Sequence, residues 1–543
     1  MIKYFLFILL FAIDITVAQY TPSSFYLKGE GKLYKTASES PAGNGIGDII
    51  TAGDTIWISS SKGVSLSTDK GTSWKNFYGN NAFGSEGISA IGYDRGTFWA
   101  ATTHTTDVNG TSYDVGSGLR FTTDKGQTWN SISEPVDANS DTIVTYGNNN
   151  LNAVPVTVTV QNLIYDIAFT HTIDGKPVIW IATFAGGLRK SSNMGATWQR
   201  VVIPPDSRDS IKPTDTLDFC LSPVGGKICS DNNLNYRVFS VIAINDSTVY
   251  AGTAGGINKT SNAQDTCPSW VKFNHLNQEN PITGNFVVAM AYDTIRRGVW
   301  AATWQAEGQT ETYGVSSTSD GGNSWNTFLG GEKVHNFGFK SGFKSGVIAV
   351  SDNGAFRTSN SGVSWILPNS IYDDITKIHL SASAFYSAAS FVDTASGTND
   401  VWLGSGDGLA KLAETPDLMW QGKWKIFRSS PVLSSQTQTY AYPNPFSPKQ
   451  DVLKIKYSTG GKNSNVTIKI FDFGMHYVRT VINNVPRGEY SHVVDSRDLQ
   501  TNGVEDTWDG RDANGNIVPN GVYFYRIEFD SSNPVFGKIL VLQ

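Results

Sequence analysis

The chain has 543 residues, of which 17% are charged and 12% are aromatic, and it carries a formal net charge of −6. Its length exceeds that of one small domain, and its 54 glycines and 28 phenylalanines with only five methionines are typical of an all-β protein with many short strands. A nucleic-acid partner is excluded by the charge pattern, because such a surface needs a basic stripe and the sequence has no run of lysine or arginine.

The N-terminus has the pattern of a secretory signal peptide. Lys3 precedes an apolar run over Tyr4–Ile13, and Thr16-Val17-Ala18 stands before Gln19. This run is shorter than the roughly 20 apolar residues that a membrane-spanning helix needs. We therefore predict that residues 1–18 are a signal peptide cleaved near Ala18-Gln19, and that the exported chain has no transmembrane segment.

An octet that ends in tryptophan recurs along the chain, with Asp or Asn at its third position and Gly at its fifth. One of its copies is stretched by three residues, and the set is Ser67–Trp74, Thr122–Trp129, Ser191–Trp198, the stretched Thr260–Trp270, Thr318–Trp325 and Thr358–Trp365. Such self-similarity indicates a repeat architecture in which each copy is one supersecondary unit. The variable spacing between copies indicates a uniform scaffold that carries loop insertions.

Three apolar runs of strand length precede each octet, and a fourth begins at its tryptophan. In one unit these runs are Ile164–Phe169, Val178–Thr183 and Gly187–Ser191, ahead of Trp198. Four short strands per unit are the content of a β-propeller blade. We therefore predict an all-β fold with a β-propeller over residues 25–428.

A further unit follows the last octet without an octet of its own. It retains apolar runs at Val401–Gly404, Gly408–Leu412 and Lys423–Phe427, and Trp424 stands where an octet tryptophan is expected. Six octets and this unit favour seven blades, with six or eight as alternatives.

The octets resemble the Asp-box, or bacterial neuraminidase (BNR), repeat of sialidases, xyloglucanase-like propellers and many non-enzymatic secreted propellers. In that family the box forms the turn between the third and fourth strand, the acid binds backbone amides, and the tryptophan packs between blades. The residue chemistry agrees, because Asp and Asn side chains mimic a turn and Gly allows a positive φ. The resemblance implies a structural role for Asp69, Gly71, Trp74, Asp124, Gly126, Trp129, Asn193, Gly195, Trp198, Asn262, Trp270, Asp320, Gly322, Trp325, Asn360, Gly362 and Trp365.

Three boxes carry Asn in place of Asp, at Asn193, Asn262 and Asn360. A turn tolerates this exchange and a catalytic acid does not, so the boxes are predicted to be scaffold. A sialidase is disfavoured for a second reason. The Arg-Ile-Pro motif of that family is missing, and the nearest approach, Val202-Ile203-Pro204, lacks the arginine.

The sequence has three cysteines, an odd number for an exported protein. Cys220 and Cys229 bracket a short loop and are the favoured disulfide, while Cys229 with Cys267 is the alternative. The cysteines lack close ligand spacing and no histidine cluster lies near them, so we predict no metal site and no cofactor.

Long segments between strands concentrate on one face of the predicted propeller. In a blade with strands A to D, the A–B and C–D turns share one face and the B–C and D–A connections share the other. The long segments are Thr103–Ser117 and Thr303–Ser316 in B–C positions, and about Asn130–Asn162, Val201–Tyr236 and Ile366–His379 in D–A positions. Since loops on a rigid scaffold carry binding residues, we predict the ligand site on this face, opposite the boxes.

The two B–C segments contain the residues that we predict to bind a ligand. Aromatic side chains there can stack on sugar rings, and paired carboxylates can act as acid and base. The alternative is that they are solvated loop residues, and His104 and Asp107 are too isolated to predict a metal. The candidates are His104, Asp107, Tyr113, Asp114, Trp304, Glu307, Glu311 and Tyr313.

A different pattern follows the propeller. Residues 429–439 form a polar linker, and residues 440–543 alternate apolar and polar positions at Leu453–Tyr457, Val466–Phe471, Tyr490–Val494 and Gly521–Phe529. This pattern is typical of a small β-sandwich. The Asp509–Asn516 loop suggests a calcium site or a hairpin turn, and the turn is favoured because Gly515 does not fit an EF-hand loop.

This C-terminal module resembles the immunoglobulin-like domain of flagellar hook-capping proteins and the C-terminal sorting domain of type IX secretion cargo. The matching residues are Tyr442-Pro443-Asn444-Pro445-Phe446, the stretch from Trp508-Asp509-Gly510-Arg511-Asp512 to Val518-Pro519-Asn520-Gly521-Val522-Tyr523-Phe524-Tyr525, and the basic and apolar tail. The resemblance implies passage through the type IX machinery across the outer membrane of a Gram-negative bacterium. Release or attachment to the cell surface follows.

Two functions remain open from the sequence. The first is a non-catalytic, monomeric propeller that binds a glycan or a surface protein, and the alternative is a glycoside hydrolase or lyase. Xyloglucanase-like enzymes use two propellers, and this chain has material for one. Two carboxylates from different blades that converge about 5–10 Å apart near the central channel would favour the enzyme.

Overall fold

The computed structural model describes residue 38 and residues 40–543, except 224–225, 227–228, 231, 307, 309, 343–344, 375–377, 381, 394–395, 430–438, 450–451, 460–462, 488–503 and 531–532. The predicted signal peptide, most of the predicted linker and the predicted strand Tyr490–Val494 lie outside the described residues. The regular structure that is described is β-strand, apart from one short 3-10 helix, η1. No helix in this part of the chain has the length and apolar character needed to cross a membrane.

The described chain divides into two compact units. The larger unit spans residues 38–369 and 382–423, and the smaller one spans residues 370–380 and 424–543.

The larger unit contains successive antiparallel sheets, which we number as blades in chain order. Blade 1 consists of β1 (Ile46–Ala52), β2 (Thr55–Ser60), β3 (Gly63–Ser67) and β4 (Lys75–Asn76). Blade 2 consists of β5 (Gly87–Asp94), β6 (Thr97–Val108), β7 (Thr111–Thr122) and β8 (Asn130–Ile132), and a separate hairpin of β9 (Ile143–Tyr146) and β10 (Asn149–Asn152) follows it. Blade 3 consists of β11 (Ile164–His171), β12 (Pro177–Thr183), β13 (Gly187–Ser191) and β14 (Gln199–Arg200).

The remaining blades follow the same strand order. Blade 4 consists of β15 (Ser210–Ile211) and, after η1 (Leu234–Tyr236), of β16 (Val238–Ala243), β17 (Val249–Thr253), β18 (Gly256–Thr260) and β19 (Trp270–Phe273). Blade 5 consists of β20 (Phe286–Asp293), β21 (Gly298–Trp304), β22 (Gly314–Thr318) and β23 (Asn326–Phe328). Blade 6 consists of β24 (Val334–Lys340), β25 (Gly346–Ser351) and β26 (Gly354–Thr358). The pair β27 (Tyr372–Asp373) and β28 (Ile378–His379) comes next in the chain and belongs to the smaller unit. Blade 7 consists of β29 (Phe385–Asp393), β30 (Thr398–Ser405), β31 (Gly408–Glu414) and β32 (Gly422–Phe427).

The first strands of the blades form a closed ring. β1 contacts β5, the series continues through β11, β16, β20, β24 and β29, and β29 contacts β1. These strands therefore surround a central channel. The ring confirms the predicted all-β propeller, and the described residues supply seven blades.

The octets form the turns from the third to the fourth strand. In blade 2 the Asp124 carboxylate accepts hydrogen bonds from Thr122 Oγ1 at 2.7 Å, Thr128 N at 2.9 Å and Thr128 Oγ1 at 2.6 Å. In blade 3, Asn193 Oδ1 accepts from Thr197 N at 2.9 Å, and its Nδ2 donates to Thr197 Oγ1 at 2.8 Å. Asn therefore supports the same turn as Asp.

Each glycine of the five regular octets lies against the preceding blade. A Cβ on Gly126 would lie 2.3 Å from Phe77 Cζ of blade 1, and one on Gly71 would lie 2.3 Å from Trp402 Cη2 of blade 7. The Trp402 contact closes the ring between its last and first blades. The other pairs are Gly195 with Ile132, Gly322 with Phe273 and Gly362 with Phe328.

The long D–A segments between blades 2 and 4 pack against the outer edge of the propeller. β15 pairs with β19, the fourth strand of blade 4, and Tyr146 donates a hydrogen bond to the Pro268 carbonyl at 2.7 Å. Cys220 and Cys229 form a disulfide in the second segment, with Cα atoms 5.6 Å apart, and Cys267 is a free thiol. These segments therefore extend a blade rather than lying only over the channel face.

The smaller unit contains β33 (Thr439–Tyr442), β34 (Leu453–Tyr457), β35 (Ser464–Phe471), β36 (Tyr477–Arg487), β37 (Val504–Trp508), β38 (Gly521–Phe529) and β39 (Val535–Val541). One sheet has the order β33-β34-β37 and the other β36-β35-β38-β39. Both sheets contribute to one core that includes Ile455, Trp508 and Tyr525. In the Asp509–Asn516 loop, Asp512 Oδ1 accepts the backbone amides of Asn514 and Asn516, so the Asp512 side chain stabilises this loop as a turn.

Candidate functional site in the propeller channel

The first strand of every blade carries a β-bulge at the same point. The register against the second strand shifts between Ile46 and Asp48 in blade 1, for example, and between Ile164 and Asp166 in blade 3. The extra residue is in blade order Gly47, Ser89, Tyr165, Phe239, Val288, His335 and Tyr386, and all seven line the channel. Since first strands begin on the face of the B–C and D–A connections, this ring of bulges lies near that entrance, opposite the boxes.

Aromatic side chains line this entrance over five successive blades, from blade 3 to blade 7. Tyr165 lies 5.2 Å from Phe239 between ring centroids, and His335 lies 5.2 Å from Tyr386. Trp304, from the second strand of blade 5, lies 5.6 Å from His335. We call these five residues the aromatic arc. Blades 1 and 2 place the small residues Gly47 and Ser89 on the opposite side, so the entrance has one aromatic wall and one open wall.

Asp48 and Asp166, which directly follow the bulges of blades 1 and 3, both line the channel, and we call them the acid pair. Asp48 Oδ1 accepts the backbone amide of Ile49 at 2.8 Å. The side-chain nitrogen Nδ2 of Asn336 lies 3.4 Å from the same oxygen, at the limit of hydrogen bonding. Beside the bulge the Ile49 amide thus donates to the side chain of the residue before it. Blade 6 has the equivalent contact, in which the Phe337 amide donates to Asn336 Oδ1.

Asp166 also ties blade 3 to blade 4. Its Oδ1 accepts the amide of Ile167 at 2.8 Å, and its Oδ2 accepts the Ser240 hydroxyl and the Val241 amide, each at 2.9 Å. Ser240 Oγ in turn accepts the Met290 amide of blade 5 at 2.9 Å. A chain of hydrogen bonds thus links three blades beside the channel.

The acid pair lies in an environment that disfavours negative charge. Burial raises the pKa of Asp48 to about 7, with a further contribution from the Asp166 charge. Burial also raises the pKa of Asp166 to about 6, against the hydrogen bonds from Val241, Ser240 and Ile167 that lower it. The residues that line the channel, all of them described, include no lysine or arginine. The channel lining therefore carries carboxylates and one histidine, His335, with no lysine or arginine.

At the two ends of the channel, two histidines form ion pairs with aspartates of the propeller. His335 Nε2 lies 2.7 Å from Asp352 Oδ1, and this contact holds the pKa of Asp352 below its usual range. At the box face, His171 lies between Asp94 and Asp246, at 3.0 and 2.9 Å, and so bridges blades 2, 3 and 4.

The first predicted segment is a hairpin and not a loop. Thr103–Ser117 continues β6 and β7 beyond the sheet and turns at Asn109 and Gly110. His104 is exposed and its Nδ1 lies 2.8 Å from Ser117 Oγ, while Asp107 caps the turn by accepting the Gly110 amide at 2.9 Å. Tyr113 and Asp114 are half-buried, and burial raises the pKa of Asp114. None of these four predicted candidates lines the channel.

The second predicted segment contributes one residue to the channel, Trp304. Glu311 is buried, and its carboxylate accepts the amides of Asn285, Ala306 and Gly308 at 2.9, 2.8 and 3.1 Å, so it holds the backbone of this segment. Tyr313 is half-buried, with its ring 6.0 Å from that of Trp304. Glu307 lies outside the described residues.

The acid pair was missed by reasoning from loops. Its sequence signal is an Asp that interrupts an apolar first strand, in Ile46-Gly47-Asp48-Ile49 and in Ile164-Tyr165-Asp166-Ile167. A charged residue inside a strand that is buried on both faces requires a partner or a channel.

No family model and no curated protein matches this chain. Among solved structures it is similar to PorZ, a surface component of the type IX secretion system of Porphyromonas gingivalis, at 14% identity and a TM-score of 0.38, over 92% of this chain and 69% of that one. It is similar to an ancestral GH74 enzyme at 13% identity and a TM-score of 0.47, over 94% and 63%. It is also similar to YCF48 from Cyanidioschyzon merolae at 13% identity and a TM-score of 0.36, over 63% and 84%. At these values the alignments concern the fold alone.

Proposed function

We propose that the propeller is a saccharide-binding module and that its ligand enters the channel between the aromatic arc and the acid pair. The observation that carries this proposal is the asymmetric entrance, with aromatic rings in blades 3 to 7 and carboxylates from blades 1 and 3 that line the same channel. The apolar face of a sugar ring packs on aromatic side chains, while its hydroxyl groups bond to carboxylate and amide groups. The channel volume of about 560 Å³ falls within the range of small-molecule sites.

Binding without catalysis is favoured by how the acid pair is held. Three donors, from Ile167, Ser240 and Val241, fix the Asp166 carboxylate between two blades and leave one acceptor site on Oδ1, which suits a rigid binding wall. A general base or nucleophile must approach the reacting atom of its substrate, and a carboxylate held by three donors is less suited to that movement than to binding.

A glycoside hydrolase is the second candidate, supported by one observation. Asp48 and Asp166 come from different blades and face one channel, and a carboxyl group whose pKa is raised to about 7, as that of Asp48 is, suits a general acid. A panel of chromogenic glycosides separates the two functions. Turnover that Asp48→Asn abolishes would establish the enzyme, and binding without turnover of any member supports the module.

We further propose that the chain is exported to the cell surface or the medium of a Gram-negative bacterium. The support is the signal-peptide pattern of residues 1–18 together with the resemblance of residues 440–543 to an immunoglobulin-like type IX sorting domain. Expression in a bacterium with a type IX system tests this. The full chain is expected outside the cells, and a chain that ends at residue 439 is expected to remain in the periplasm. Equal export of both would contradict the proposal.

A glycan array with the mature chain, from Gln19 onward, tests the binding site. For the tightest ligand found, Tyr386→Ala is expected to weaken binding about tenfold, because loss of one stacking surface costs on the order of 1.4 kcal/mol. Tyr113→Ala is the matched control, since Tyr113 is a half-buried tyrosine on the blade 2 hairpin, outside the channel. Weaker binding by Tyr113→Ala with unchanged binding by Tyr386→Ala would place the site on the hairpin. Absence of binding to any glycan would refute the proposal.

A further inference from the structure

We propose that the channel selects a saccharide that carries a primary ammonium group, an amino sugar, and that Asp48 and Asp166 receive this group. This inference rests on the proposed saccharide site and names its ligand class. Three observations carry it: the charged residues that line the channel, the ion pairs that other acids of the propeller form, and the aromatic arc.

Among the residues that line the channel, the acid pair has no counter-ion. Three aspartates line it, and Asp94 among them is paired with His171 at 3.0 Å. His335, which also lines the channel, is paired with Asp352. Asp48 and Asp166 accept hydrogen bonds from uncharged groups and form no salt bridge with the described residues. No lysine or arginine belongs to the described lining. An anionic saccharide would meet repulsion from the acid pair. Lys333, whose Nζ lies 5.8 Å from the centroid of the Trp304 ring, does not line the channel.

Elsewhere the propeller gives several buried acids a basic partner. Most of these pairs join adjacent strands or blades, and each gives the carboxylate a counter-ion, without which a buried charge is costly. They are Asp137 with Arg189 and Arg200, Glu414 with Lys340 and Arg357, Asp293 with Arg296, and Asp400 with Lys411. Glu134 and Glu311 are also buried without a salt bridge to the described residues, and backbone amides bind their carboxylates. The acid pair differs from them because it lines the channel, where a ligand can supply the cation.

The aromatic arc adds to the attraction for a cation. The rings of Tyr165 and Phe239 belong to the bulges of blades 3 and 4, and the Tyr165 bulge immediately precedes Asp166. The faces of aromatic rings attract ammonium groups, and the attraction grows in a partly desolvated site. A sugar ring that stacks on the arc can therefore direct an amino substituent to the carboxylates beside it.

Titration calorimetry of the full mature chain with two matched probes tests the inference. The probes are the tetrasaccharide of β-1,4-linked glucosamine and its fully N-acetylated counterpart, which has the same ring geometry without the charges. At neutral pH we expect the amino form to bind at least about tenfold more tightly, as one ionic contact with cation–π support requires. The preference is expected to shrink as salt is added, because screening weakens charge attraction.

Substitutions in the acid pair provide a second test of the inference. Asp48→Asn and Asp166→Asn are expected to reduce the preference for the amino form, while Asp54→Asn, an equal charge change at an exposed turn on the box face, is expected to retain it. If a channel variant does not fold, the comparison of the two probes on the unmodified chain still decides.

The outcomes separate this inference from the proposed function. Equal or tighter binding of the N-acetylated probe would overturn the amino-sugar selection and leave a saccharide site in place. Binding of neither probe, with a neutral or anionic glycan bound on the array, would also overturn it. Binding of no glycan at all would remove both proposals.

Discussion

Replacement of Gly126 by alanine tests how the boxes join the blades. Gly126 and Gly79 both have a positive φ, +73° and +78°, so an added Cβ strains the backbone at either position. A Cβ at Gly126 would also lie 2.3 Å from Phe77 Cζ of the preceding blade, whereas at Gly79 it meets no atom within 4 Å. Gly126→Ala with Gly79→Ala as its control therefore isolates the contact between blades.

The magnitude follows from two costs. The left-handed conformation costs an alanine about 1–2 kcal/mol at either position. Overpacking adds about 1–3 kcal/mol at Gly126 only. Phe77 has no room to move away, because it is buried and packs against Trp57 and Trp129 with ring centroids 6.1 and 5.1 Å away. Gly126→Ala is thus expected to destabilise the propeller by about 2–5 kcal/mol.

Urea unfolding of the full chain, followed by tryptophan fluorescence, measures the difference. The midpoint is expected to fall in both variants, and to fall further for Gly126→Ala at an unchanged slope. Equal midpoints for the two variants would refute the reasoning, because they would show that the glycine is needed for its backbone conformation alone.

Three further outcomes are expected from the same assay. Glu414→Ala leaves Lys340 and Arg357 buried without their shared carboxylate and is expected to cost about 3–5 kcal/mol, so a loss below about 1 kcal/mol would contradict the assigned ion pairs. Asp320→Asn is expected to keep the unmodified midpoint, since other boxes carry Asn at this position, whereas Asp320→Ala lowers it; equal effects would show that the side-chain acceptor is dispensable. Burial raises the pKa of Asp48 from 3.8 to about 7, so the folded chain binds more protons than the unfolded chain between these values. Stability is therefore expected to fall as pH rises from about 4 to about 7, and Asp48→Asn is expected to flatten that fall in midpoints measured across this range; an unchanged profile would count against the raised pKa.

The scaffold was readable from the sequence because its decisive contacts are local. The hydrogen bonds of Asp124 and of Asn193 reach no further than four residues along the chain. A turn with such contacts leaves a short, repeated pattern. The spacing of these patterns then indicated four-stranded units, and from them the all-β propeller.

The channel site was not readable because it depends on closure of the ring. Asp48 and Asp166 stand in different blades, and Tyr386 joins the same entrance from the last blade. Each lies within a short apolar strand, where the local pattern indicates core. Their common position after or at a bulge appears only when the strand registers are known.

Loop length does not indicate which residues line the channel, for a related reason. The Thr103–Ser117 segment pairs with itself as a hairpin, and the segment with β15 adds to the outer edge of blade 4. Long connections satisfy their backbone groups by pairing, so length alone does not place a segment over the channel. Trp304 lines the site because it ends a strand of blade 5, next to the bulges.

A crystal structure of the mature chain with the tightest-binding saccharide tests the central claim most directly. The account predicts density for a sugar ring against the aromatic arc, with a polar substituent within about 3 Å of an Asp48 or Asp166 oxygen. Density on the blade 2 hairpin or on the box face, with an empty channel, would contradict it.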